Sequence, residues 1–170
     1  MNNETWYKNH KRHMQLALIA HGSLVLVLGL FAGFFLTFDM LQGVKIWPLI
    51  HIELDIPGTV RGWKAAHTGG IMNGIMLIIM ALCITKIQLS LASLNFIYWS
   101  FLFTGWGNTV FYWAANFAAN RGLSVGPTPY GDADIFGAIS YVAGASVMVF
   151  TVIACFLVAK SALRDKASFE

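Results

Sequence analysis

Charge is the scarcest ingredient of this 170-residue chain: Asp, Glu, Lys and Arg together make up 11% of it, against roughly 25% in soluble domains. With 57% hydrophobic residues and a mean hydropathy of +0.64, that shortage excludes an ordinary water-soluble fold. Cysteine is also scarce. Cys83 and Cys155 both sit inside apolar runs, so no disulfide framework is implied, and the absence of Cys-x-x-Cys-His excludes covalent c-type haem attachment. A net charge of +3 on so few ionisable groups provides no basic stripe for nucleic acid. His-x-x-x-His, Gly-x-Ser-x-Gly and phosphate-binding Gly-Lys-Ser patterns are missing, as are internal repeats.

What is present is long uncharged stretches: Met14 to Phe38, Thr68 to Thr85, Ile87 to Asn120 and Ile135 to Ala159. Each can cross roughly 30 Å of hydrocarbon at 1.5 Å per residue. They predict a single integral membrane domain over 1–170, all-α, a four-helix bundle with spans near 14–38, 66–86, 88–118 and 134–159. The basic N-terminus followed by a long apolar run reads as a retained helix, not a cleaved signal. Residues 39–64, with Pro48 and Pro57-Gly58, and residues 121–134, RGLSVGPTPYGDAD, read as loops.

Four spans put both termini and the Lys86 turn on one side. That side carries Lys8, Lys11, Arg12, Lys86, Lys160, Arg164 and Lys166, whereas the other carries Lys45, Arg61, Lys64 and Arg121. The excess predicts cytoplasmic termini. Trp6, Tyr7, Trp47, Trp63, Tyr98 and Trp99 lie near span ends, where amphipathic rings favour the interface.

Polar residues inside the spans are the candidate functional groups, because each is costly in lipid unless partnered. No Asp or Glu lies within a span, which removes a membrane-embedded carboxylate nucleophile. The second span opens HTGGIMNG, with His67 at its lip and Asn73 deeper; the third carries Thr104, Asn108, Tyr112 and Asn116 at spacing four. Antiparallel topology gathers His67, Asn73, Asn108, Tyr112, Asn116 and Arg121 at one end of the bundle. His67 reads either as an interfacial imidazole or as a metal ligand. Gly70-xxx-Gly74 reads as helix packing or as room for a flat macrocycle, and Gly29-xxx-Gly33 as packing alone. Asn108 and Asn116 read as interhelical glue. His21 lies at a different depth from His67, His10 and His13 read as solvated, and His51 as a loop residue.

The segments GWKAAHTGGIMNG, GWGNTVFYWAANFAANRGL and GPTPYGDADIFG resemble the styrene oxide isomerase family, small bacterial membrane proteins that convert aryl epoxides to aldehydes. The likeness is strongest from Arg61 to Gly137 and extends to Ala20-His21-Gly22; it departs at Thr104, where the resemblance implies an acid in some relatives. The resemblance implies a homotrimer in the bacterial inner membrane with haem b bound between subunits. It implies His67 as the axial iron ligand, with Gly70 and Arg121 on the cofactor side, and Asn73 and Tyr112 at the epoxide. Arg61, Lys64 and Arg121 are candidate propionate partners, against the alternative that Arg121 pairs with Asp132 or Asp134. Six residues on an ideal helix place positions 67 and 73 about 120° apart, so they cannot both face one small ligand from the same helix. A cofactor wedged between subunits removes that conflict. An electron-transfer b-type cytochrome and a cofactor-free membrane scaffold are the competing readings.

Overall fold

The computed structural model describes residues 2–168. Four helices carry the chain: α1 (Asn3–Leu41), α2 (Val60–Lys86), α3 (Leu91–Ala115) and α4 (Ile135–Ala167), with strands β1 (Gly43–Ile46) and β2 (Ile50–Glu53) between α1 and α2. Each helix begins at a side chain that satisfies an orphan amide of the first turn. Asn2, Thr59, Ser90 and Asp134 accept from Glu4 N, Gly62 N, Ser93 N and Gly137 N respectively. Helix α1 extends past the expected span at both ends, because the polar residues from Asn3 to His13 continue the helix into the aqueous layer instead of ending it.

Apolar side chains cover much of the outside as well as the inside. Phe34, Met72, Val142, Met148 and Phe156 are each more than half exposed, the arrangement of a bundle whose outer solvent is lipid. Helices α1, α2 and α4 are long and apolar enough to cross a bilayer by themselves. Helix α3 is 25 residues long and uncharged, and it carries Asn95, Ser100, Thr104, Asn108 and Thr109 among its apolar residues. It packs against the other three helices and bonds its polar groups internally: Thr104 to Thr151, Asn108 to Asn73 and Thr109 to the Gly105 carbonyl. An inner helix of that kind does not need a wholly apolar surface.

The expected loop at 39–64 contains an antiparallel hairpin, with Lys45 opposite His51 and Ile46 opposite Ile50. Ile50-His51-Ile52-Glu53 alternates in the strand period, a signal masked by the charges around it. Trp63 is not an interfacial anchor: it is 3% exposed, stacked on Phe35 at 4.7 Å and edge-on to Trp113 at 5.4 Å. Tyr98 is likewise buried.

At the end holding both termini, the Ile87–Ser90 turn is clamped from two helices. Tyr7 and Lys11 of α1 donate to the Leu89 and Ile87 carbonyls at 2.6 and 2.8 Å. Arg164 donates to the Gln88 carbonyl and Asp165 accepts from the Gln88 amide. His10, expected in solvent, bonds Asn95 at 3.0 Å and stacks on Trp6; His13 is exposed as expected.

At the opposite end, Asn120 holds the 116–134 loop together. Its fully buried side chain donates to the Ser124 and Gly126 carbonyls at 2.8 and 2.9 Å and accepts from Gly122 N at 3.0 Å. Asp134, in the loop ahead of α4, accepts from Ala119 N and Gly137 N, and these bonds, Ala119's first, hold its carboxyl below the ordinary value of 3.8. A carboxyl more acidic folded than unfolded stabilises the fold above its ordinary value, and that contribution is lost as pH falls through the lowered one. Thermal unfolding in detergent checks two outcomes. Asn120→Ala lowers stability by about 1–3 kcal/mol, and Asp134→Asn flattens the loss of stability that the native protein shows on acidification below about pH 4.

Candidate functional site

Helix α2 lies directly on α1, and glycine makes the contact possible. A Cβ on Gly29 would sit 2.7 Å from Ile71 N and 2.8 Å from the Gly70 carbonyl carbon; one on Gly22 would sit 2.8 Å from the Gly74 oxygen. Gly70 therefore serves the helix packing: α1 backbone covers it.

This approach carries His67 onto α1. Its Nδ1 is 2.9 Å from the Gly29 carbonyl oxygen. A carbonyl only accepts, so Nδ1 bears a proton, and in the neutral imidazole Nε2 then keeps its lone pair. The ring is half-buried, and among the described residues Nε2 has no hydrogen-bond partner. One tethered nitrogen and one bare nitrogen is the arrangement of a histidine metal ligand, whose second nitrogen usually donates to a carbonyl or carboxylate. Among the described residues no three His, Cys, Asp or Glu side chains gather as a metal centre. A metal held here needs most of its ligands from elsewhere, as from a porphyrin.

His21 differs in both respects. Its Nδ1 accepts from Trp106 Nε1 at 3.2 Å, which puts the proton on Nε2. It also lies eight to twelve residues before Gly29 and Gly33, roughly 12–18 Å along α1.

Asn73 lies on the other side of α2, toward α3, where Tyr112 of α3 also meets α2. The Tyr112 ring rests on Gly69, where a Cβ would sit 2.2 Å from its Cε2. Asn73, 7% exposed, donates to the Gly69 carbonyl at 2.7 Å and accepts from Asn108 Nδ2 at 2.9 Å. Both side chains thus converge on Gly69. One amide hydrogen of Asn73 is uncommitted, and among the described residues the Tyr112 hydroxyl meets no partner.

Tyr112 lines a cleft of about 770 Å³ between the start of α2 and the end of α3, walled by Ala65, Phe111 and Ala115, with Arg61 and Arg121 as its charged residues. Neither His67 nor Asn73 is among its lining residues. Arg121 has a left-handed backbone (φ 63°) and lays its guanidinium on the Tyr130 ring, 3.8 Å from the centroid. The ion pairs among the described residues, Lys8–Glu4 and Arg164–Asp165, include neither arginine. Asp134, weighed as a partner for Arg121, caps α4 instead. Asn116 at the cleft accepts from Thr59 N at 2.9 Å and Thr59 Oγ1 at 3.2 Å, joining the end of α3 to the start of α2.

The predicted polar group is therefore gathered at one end of the bundle but divided by α2. His67 faces α1, whereas Asn73, Asn108, Tyr112 and Asn116 face the α2–α3 seam. Thr104 leaves its stripe and bonds Thr151 on α4. Sequence reasoning missed the roles of Gly33 and Gly69, which make room for the His67 and Tyr112 rings; small residues mark a close approach without saying what approaches.

These features define a polytopic helical membrane protein with a half-buried imidazole on one flank and a lipophilic, hydroxyl-bearing cleft on the other. The family described as styrene oxide isomerase matches residues 14–163. A styrene-oxide isomerase of Pseudomonas fluorescens is 33% identical over 137 residues, covering 81% of this chain and 79% of the relative. The chain belongs to the styrene oxide isomerase family.

The seam itself is testable. Asn108→Ala strips Asn73 of its partner and lowers thermal stability in detergent by about 0.6–2 kcal/mol.

Proposed function

We propose that the chain isomerises styrene oxide-type aryl epoxides to arylacetaldehydes, as a homotrimer with ferric haem b between subunits, in a bacterial inner membrane with its termini in the cytoplasm. Family membership and the name of the Pseudomonas fluorescens relative support the reaction. The observation that carries the cofactor is the His67 ring, tethered at Nδ1 and bare at Nε2. The excess of Lys and Arg on the terminal side supports the orientation.

Isomerisation requires the benzylic C–O bond to break, with the developing positive charge delocalised into the aryl ring. A hydride then moves from the terminal carbon to the benzylic carbon, and the terminal C–O becomes the carbonyl. No atom enters or leaves, and no external hydride is used. When bound, ferric haem supplies an electron-pair acceptor for the epoxide oxygen.

The chain's own residues do the rest. His67 would hold the iron through Nε2. The uncommitted Tyr112 hydroxyl donates to the substrate oxygen, and the remaining Asn73 amide hydrogen orients it, a preorganised role fixed by the Gly69 and Asn108 contacts. Phe111, Ala65 and Ala115 give the cleft an apolar wall that favours an aryl ring over the water that would capture the benzylic cation as a diol. Arg121 and Arg61, without carboxylate partners among the described residues, would meet the propionates. Because His67 and Tyr112 lie on opposite sides of α2, the cleft of one subunit works with the imidazole of its neighbour.

His67→Ala abolishes haem retention and isomerisation. Tyr112→Phe keeps the haem spectrum while turnover falls roughly 10²-fold. Coexpression of the two variants restores part of the activity, because some interfaces then pair an intact imidazole with an intact hydroxyl. Formation of phenylacetaldehyde from styrene oxide in membranes is the assay, and dithionite suppresses it by reducing the iron. Full activity and haem content in His67→Ala removes the ligand assignment.

A further inference from the structure

What lies nearest Gly33 of α1 is a side chain of α2, not its backbone. A Cβ there would meet the His67 ring itself, 2.6 Å from Nδ1 and 2.8 Å from Cε1. One turn earlier on the same face, the Gly29 carbonyl receives the Nδ1 proton at 2.9 Å. A carbonyl oxygen has two lone pairs, so it serves the helix ladder and the imidazole together. The ring cannot retreat from an added methyl group without leaving that oxygen. A shift of α1 away from α2 would open the contact of Gly29 with Gly70 and Ile71 and draw the Gly29 carbonyl off the ring.

We infer that Gly33 and the Gly29 carbonyl form a positioning cradle for His67, which fixes the imidazole in the Nδ1–H tautomer and aims its bare Nε2 outward as an iron ligand. The Gly29-xxx-Gly33 pair thus divides its labour: Gly29 packs the helices and anchors the ring, and Gly33 leaves the space in which the ring lies. The tautomer is a property of the chain alone. The ligand role rests on the haem reading above.

The test compares Gly33→Ala with Gly22→Ala, which crowds the same helix pair near Gly74 and away from His67. Nitrogen-15 spectra of histidine-labelled protein in nanodiscs, with the His67 signals assigned by their loss in His67→Asn, report the tautomer without any cofactor. Wild type and Gly22→Ala show a protonated Nδ1 and a bare Nε2, and Gly33→Ala loses that bias. On haem titration Gly33→Ala binds about 10- to 100-fold more weakly, and its ferrous iron–histidine stretch shifts down because Nδ1 has lost its acceptor; Gly22→Ala changes neither. A wild-type imidazole protonated on Nε2 overturns the inference. So does a Gly33→Ala protein with unchanged tautomer, affinity and stretch, or a Gly22→Ala protein that loses them equally. A wild type that shows the tautomer but takes up no haem overturns the haem reading, and the nitrogen spectra of Gly33→Ala still decide the cradle.

Discussion

The contact between the α1 and α2 backbones is the constraint from which the rest follows. Gly22 against Gly74 and Gly29 against Gly70 bring two helices together at distances no side chain would permit. In lipid, helix association gains little from hydrophobicity and depends on such close packing and on interhelical hydrogen bonds. The same proximity lets an α2 side chain reach an α1 carbonyl. Force the helices apart at Gly29 by one methyl group, and His67 would lose the carbonyl that receives its Nδ1 proton.

Helix α2 consequently acts as a partition. Its α1-facing side presents an imidazole with one nitrogen committed. Its α3-facing side supports Tyr112 on Gly69 and locks Asn73 between the Gly69 carbonyl and Asn108. The Asn120-braced loop places Arg121 at the mouth of the cleft, with its guanidinium on Tyr130 and, among the described residues, no carboxylate to neutralise it. Rigid support of this kind matters for the proposed reaction, because a benzylic cation is short of options only when both water and stray nucleophiles are held away.

Much of this is legible in residue order, for identifiable reasons. Uncharged stretches mark four helices because charge is costly in hydrocarbon, and the 100° helical step alone separates His67 from Asn73. The membership of the polar cluster follows from antiparallel topology. Other features depend on which neighbour a side chain meets, and periodicity carries no such information. Thr104 shares a spacing with Asn108 yet turns to Thr151, His10 finds Asn95 across 85 residues, and Trp63 is buried by Phe35 and Trp113. Gly33 reads as packing because a glycine pair looks the same whether it faces a helix or an imidazole.

The central claim is that one histidine nitrogen of this chain is kept free for an iron porphyrin. The optical spectrum of the protein purified in mild detergent tests it most directly. The account predicts a Soret band with the signature of a ferric haem ligated by a single protein imidazole. A low-spin bis-imidazole spectrum, or no Soret absorbance at all, would contradict it.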